Sequence, residues 1–196
     1  MKKHSSYGRI LFLIVLAGIL LSSCKKKAET DPFADVKGNY FSIRQFGIDQ
    51  WNSFQGAPFL ILKTVKINGK TDSSFTNSDT LNWGNIFKVF FETDISDRKY
   101  LGEYTFSQFE DPDEGTHNFY YKANDPDEFT QKLLITIDQV NSKVRGVYIE
   151  TYKKTFFNEC KQILYYNPMH TIQIQTDEKP VIGARKYSVV EYTFMR

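Results

Sequence analysis

The stretch Leu133 to Thr151 reads LLITIDQVNSKVRGVYIET, and its alternation decides the fold class. Leu133, Ile135 and Ile137 fall on one face with Leu134, Thr136 and Asp138 opposite, the two-residue period of a strand with one buried side. Asn141-Ser142-Lys143 then supplies turn residues, and Val144 to Tyr152 alternates again. Two strands around a short turn make an antiparallel hairpin. The same pattern runs outward in both directions. Upstream, Tyr40 to Phe46, Phe59 to Ile67, Ile86 to Thr93, Tyr100 to Phe106 and Thr116 to Ala123 read as strands, with Asn68-Gly69 as a tight hairpin turn after the second. Downstream, Ile163 to Tyr166, Thr171 to Thr176 and Tyr187 to Phe194 complete about ten. No run holds helical periodicity over three turns, and only Phe157 to Tyr165 is compatible with a short helix. Turns at roughly every 8–14 residues predict an all-β domain, an antiparallel β-sandwich or a barrel.

Composition agrees. Aromatic residues make up 16% of the chain, and alanine after the first 23 residues occurs only at positions 28, 34, 57, 123 and 184. A chain short of the best helix former and rich in Tyr, Phe, Thr and Ile favours sheet. Glycine spacing excludes whole function classes. Beyond the first 23 residues the closest pairs are Gly38–Gly47 and Gly47–Gly56, nine apart. A dinucleotide fingerprint, a phosphate loop and a serine nucleophile elbow each need closer glycines.

The amino end has a different character. Lys2, Lys3 and Arg9 precede the apolar run Ile10 to Leu21. Twelve helical residues span about 18 Å, short of a ~30 Å hydrocarbon core, so the run has the length of a signal-peptide core. Leu21-Ser22-Ser23-Cys24 follows, and it resembles the lipobox of bacterial lipoproteins. The resemblance implies cleavage before Cys24, with diacylglycerol on its sulfur and three acyl chains in all. Two acyl chains already anchor a protein stably. Lys25 stands where enteric lipoproteins retained in the inner membrane carry Asp, which implies sorting to the outer membrane; the periplasmic or surface face stays open. The expected organisation is a signal peptide over 1–23, a lipid anchor and tether over 24–37, and a single β domain over 38–196. Gly102 to Phe106, the Tyr-rich strand after it and Leu133 to Thr151 are also similar to a group of small β-rich envelope lipoproteins. That likeness implies the fold and carries no functional site.

Removing residues 1–23 takes away Lys2, Lys3 and Arg9 and no acid, leaving 22 basic against 23 acidic residues. Setting aside Lys25 to Lys27, which either meet anionic headgroups or form a solvated run, leaves 19 against 23. A folded part near −4 has no electrostatic case for nucleic acid. The expected partners are the membrane, through the lipid, and a glycan or another envelope protein.

Candidate sites are few. Trp51 and Trp83 lie in stretches rich in Asn, Gln and Asp, the composition of sugar-stacking loops, although Trp also caps the open end of a sheet core. The surplus of Phe and Tyr reads as core filling or as the lining of an apolar cavity. Asp111-Pro112-Asp113-Glu114 and Asp125-Pro126-Asp127-Glu128 flank one strand of about 23 Å, which is too long for both to share one ion. They read as Asp-Pro turns, with separate Ca2+ loops as the alternative. His117 and His170 sit in no zinc spacing, so neither a metal nor a cofactor is expected. Cys160 would be the one thiol left after acylation, and it reads as a buried small hydrophobe. The expectation is an envelope protein with a structural or binding role and no catalytic residue. A glycan hydrolase with paired carboxylates and a lipocalin-like carrier of an apolar ligand are the alternatives.

Overall fold

The computed structural model describes residues 40–195. The expected signal peptide, Cys24 and the expected tether lie outside the described residues. The chain divides between Val36 and Lys37, and everything described falls in the second unit. Among the described residues, the core lies in that unit.

Nine strands form one antiparallel sheet: β1 (Leu60–Ile67), β2 (Lys70–Asn77), β3 (Tyr104–Asp111), β4 (Thr116–Ala123), β5 (Thr130–Asp138), β6 (Val144–Lys154), β7 (Asn158–Asn167), β8 (Thr171–Pro180) and β9 (Lys186–Met195). Their order is β2-β1-β9-β8-β7-β6-β5-β4-β3. β3 to β9 form a meander, and the β1–β2 hairpin joins it through β1 on β9. β2 and β3 are the two edges, so the sheet is not closed into a barrel. The fold is all-β and sandwich-like, with nine strands against the ten expected.

Register explains the alternation. Leu133 pairs with Ile149, Ile149 with Leu164, and Leu164 with Ile174. One step along, Ile135, Val147, Tyr166, Ile172 and Tyr192 form the next row. Eight of these nine residues are buried, while Ile174 packs against the core from its rim. The opposite face carries Tyr120, Leu134, Tyr148 and Tyr165 in register, half-buried by one another. At the first hairpin Asn68 and Gly69 both take positive φ (+47° and +86°), the requirement of the tight turn that the dipeptide announced.

Two segments expected as strands are helices. Tyr40 to Phe46 runs into α1 (Ile43–Phe54), and Ile86 to Thr93 falls mainly in α2 (Trp83–Phe91). Ser42 caps α1, its Oγ accepting from the Gln45 amide at 3.1 Å. The Asp94 carboxylate accepts from the Arg44 amide at 2.7 Å and from the Ser42 hydroxyl at 2.8 Å, placing an anion at the helix start. Asn82 caps α2 through the Asn85 amide. Buried Trp83, Ile86, Phe87 and Phe90 follow the i, i+3, i+4, i+7 spacing of a helix stripe, which the alternation of Phe87, Val89 and Phe91 masks. Both helices lie on the apolar face of the sheet, where Phe87 and Phe90 meet Tyr166. Conversely, β2 is almost wholly polar and exposed, and the stretch Phe157 to Tyr165 is no helix: Phe157 lies in the turn before β7 and Asn158 to Tyr165 belong to the strand.

Candidate functional site

The two tryptophans come together. Trp51 sits near the end of α1 and Trp83 begins α2, with ring centroids 5.9 Å apart. Sequence reading put both in irregular segments; both are helical, and that is what makes them converge. Helix geometry turns Ile48, Trp51 and Phe54 toward α2, and the caps fix where each helix starts. Trp83 is buried, and its indole N–H donates to the Ser78 carbonyl at 2.6 Å. Phe54 lies 5.0 Å from Trp83 centroid to centroid, and Phe194 of β9 lies 6.1 Å away. Trp83 therefore does cap the sheet core, while Trp51 is half-buried and borders the solvent.

Between the helices and the connection ahead of α2 lies an open groove of about 590 Å³. Ile48, Trp51, Leu81, Trp83, Phe87 and Phe91 supply apolar walls, and Thr80 and Asn82 supply polar groups. The Asn82 oxygen is occupied as a helix cap, and Thr80 Oγ1 is engaged with the Asn77 carbonyl and the Thr76 hydroxyl. A second hollow of about 190 Å³ shares Trp51 and Trp83 and reaches Pro58 and Asp79. An apolar concavity with a few polar groups at its mouth is the usual form of a small-molecule site. Sequence reading missed Ile48, Leu81, Phe87 and Phe91 as lining residues. The helical stripe behind Asn82 was the signal that would have found the last two.

Ionisable groups gather elsewhere. On the outward face of the sheet Glu150 accepts from Tyr148 at 2.9 Å and from Lys132 at 3.0 Å. Burial, then the Glu150 hydrogen bond, pushes the Tyr148 phenol up to about 12, and the Glu150 hydrogen bond raises Lys132. Both groups keep their protons at neutral pH and hydrogen-bond them to the Glu150 carboxylate. A shallow hollow of about 300 Å³ lies beside it.

The acidic tetrapeptides sit at opposite ends of β4. Asp111 accepts from the Glu114 amide at 3.1 Å and Asp125 from the Asp127 amide at 2.8 Å, the geometry of Asp-initiated turns. Among the described residues no three His, Cys, Asp or Glu side chains converge on a point. His117 lies on β4, 3.8 Å from Glu110, and His170 is exposed ahead of β8. Cys160 is half-buried rather than enclosed, and burial, Glu178 and Asp177 push its thiol up, away from reactivity. Comparison with family models, curated proteins and solved structures returns no match for this chain.

Proposed function

We propose that this is a lipid-anchored protein of the cell envelope that binds a small ligand with an apolar face in the groove between α1 and α2. The observation that carries the reading is the pairing of Trp51 with Trp83 along that groove, one ring wedged into the core and the other at its mouth. A fixed ring beside a half-exposed one forms a preorganised platform, which lowers the ordering cost of binding. A glycan hydrolase would set two carboxyls across its cleft, and this groove is lined by none. The lipobox resemblance supports the envelope setting, and Lys25 after Cys24 supports the outer membrane.

Trp51 is the residue to test, because replacing Trp83 would remove core as well as platform. N-phenyl-1-naphthylamine and, separately, a cello-oligosaccharide are titrated while tryptophan emission is followed. The expected result is saturable binding of one of them, weakened roughly tenfold or more by Trp51→Ala. The naphthylamine arm identifies an aliphatic or aromatic ligand class, the oligosaccharide arm a glycan. Absence of saturable binding in both arms, or equal binding by Trp51→Ala, would sink the proposal.

A further inference from the structure

Two turns at one end of the sheet expose large apolar side chains side by side. The β6–β7 turn spans Thr155 to Asn158, closed by the Thr155 amide on the Asn158 carbonyl at 2.8 Å. Its two central residues are Phe156 and Phe157, 85% and 74% exposed, with rings 4.9 Å apart. Gly, Asn, Asp or Pro normally occupy such positions, and nothing in the turn geometry calls for two phenyl rings. The β8–β9 connection lies against this turn, its Val181 amide donating to the Phe157 carbonyl at 3.0 Å. Val181 and Ile182 are 71% and 91% exposed. Arg185 braces this connection by a two-point pair with Asp177. Both apolar tips are therefore held in shape.

Charge surrounds them asymmetrically. Lys153 and Lys154 end β6, and Lys186 begins β9; among the described residues none of the three makes an ion pair. Of the nearby acids, Asp177 and Glu159 are taken by Arg185 and by Lys161 and Lys179, and Glu178 stands opposite Lys186 in the strand register, which leaves the lysines of this end in excess. Asp125, Asp127 and Glu128 lie farther along the same end, on the β4–β5 connection. The amino end of the described chain reaches the same end of the sheet at its β3 edge, three strands from β6. The Tyr40 hydroxyl donates to the carbonyl of Tyr104, the first residue of β3, and accepts from the Gly102 amide. Fifteen residues separate Tyr40 from Cys24, a reach of at most about 55 Å.

We propose that Phe156, Phe157, Val181 and Ile182 insert into the interfacial region of an anionic lipid bilayer, with Lys153, Lys154 and Lys186 meeting its headgroups. Exposed apolar side chains rimmed by unpaired lysines are the composition of an interfacial membrane contact, and a patch of this kind on a soluble face is otherwise an aggregation hazard. The contact would hold the domain with this end toward the membrane and leave the β5–β6 turn at the far end. The inference draws on the lipid-anchor reading for orientation only, and not on the groove.

The test uses residues 37–196, the unit that contains every described core residue and lacks Cys24, with vesicles of phosphatidylcholine containing roughly 30% phosphatidylglycerol. Flotation should show the protein bound, and Phe156→Ser with Phe157→Ser and Ile182→Ser should lower its partition coefficient at least ~10-fold. Lys153→Glu with Lys154→Glu should weaken binding to these vesicles and leave it unchanged on neutral ones. A second readout avoids any dependence on multiple substitutions. In a Cys160→Ala background, an environment-sensitive dye on Phe156→Cys should brighten on vesicle addition, while the same dye on Val140→Cys in the far turn should not. Failure of the wild type to float, equal flotation of the serine variant, or equal response of both dyes overturns the proposal. So does a dimer of the wild type that the serine variant abolishes, which would assign the patch to a second copy of the chain. Loss of groove binding leaves every one of these readouts untouched.

Discussion

Asp138 closes the β5–β6 turn with both of its carboxylate oxygens. One accepts from the Val140 and Asn141 amides at 2.8 and 3.1 Å, and the other from Arg145 at 2.6 Å. Arg145 also donates to the Glu114 carbonyl, so the same side chain ties two turns together. The Arg145 hydrogen bond, then the two amides, hold the Asp138 carboxyl below the ordinary carboxylate range. A depressed carboxylate binds fewer protons in the folded state than in the unfolded one, so its contribution is present above the unfolded value near 4 and is lost as pH falls through the folded value. Asp138→Asn should therefore lower the melting temperature at pH 7 and flatten its fall between roughly pH 5 and 2. Asp177, held down chiefly by Arg185, should leave a residual slope. An unchanged acid limb in thermal melts would show that Arg145 pairs equally well in the unfolded chain.

The helices were the least legible elements, and Gly47 shows why they are where they are. A Cβ on Gly47 would lie 2.5 Å from the Phe91 ring edge, so α1 and α2 approach closely only because this residue has no side chain. Gly84 in α2 faces open space, apart from the Asn82 cap oxygen at 3.4 Å. Overpacking costs about 1–3 kcal/mol against a helix-propensity gain near 1 kcal/mol, so Gly47→Ala should destabilise by about 1 kcal/mol in urea unfolding. Gly84→Ala should be neutral or stabilising by roughly 0.5 kcal/mol. Equal effects at the two sites would mean that Phe91 moves aside without cost. Composition argued against both helices, since they hold no alanine and five of their 21 residues are Phe. Two capping residues, Ser42 and Asn82, and the stripe 83, 86, 87, 90 argued for them more specifically. The strands were plainer, because a one-residue error in a period of two exposes every core side chain. β2 is the exception: an edge strand paired on one side needs no apolar face, so its polar run KTDSSFTN left no pattern to read.

At the scale of the whole molecule, the proposed lipid anchor lies outside the described residues and one sheet lies within them. Cys24→Ser should leave the precursor uncut and move the protein out of the detergent fraction relative to wild type, as detergent partitioning and the mass of the chain would report. Wild type remaining in the aqueous phase would refute lipidation. The two proposed membrane contacts would be separable, since one would need Cys24 and the other Phe156, Phe157 and Ile182. Together they would fix which end of the sheet meets the bilayer.

The amino-acid order by itself determined the antiparallel all-β class, the positions of eight of the nine strands to within about five residues, and the Asn68-Gly69 and Asp-Pro turns. These features rest on local chemistry: side-chain alternation, positive φ, and carboxylates that hydrogen-bond their own backbone. It also marked Trp51 and Trp83 as residues to watch. What only the tertiary structure decided is that those rings meet, that one is core and the other rim, and that Phe156 and Ile182 stand at one end of the sheet. Such juxtapositions join residues 26 to 32 positions apart, and in α1 and α2 they follow from close packing at Gly47. No periodicity records a contact of that range. It is set by how the two helices seat on the sheet and by which turns the register brings together.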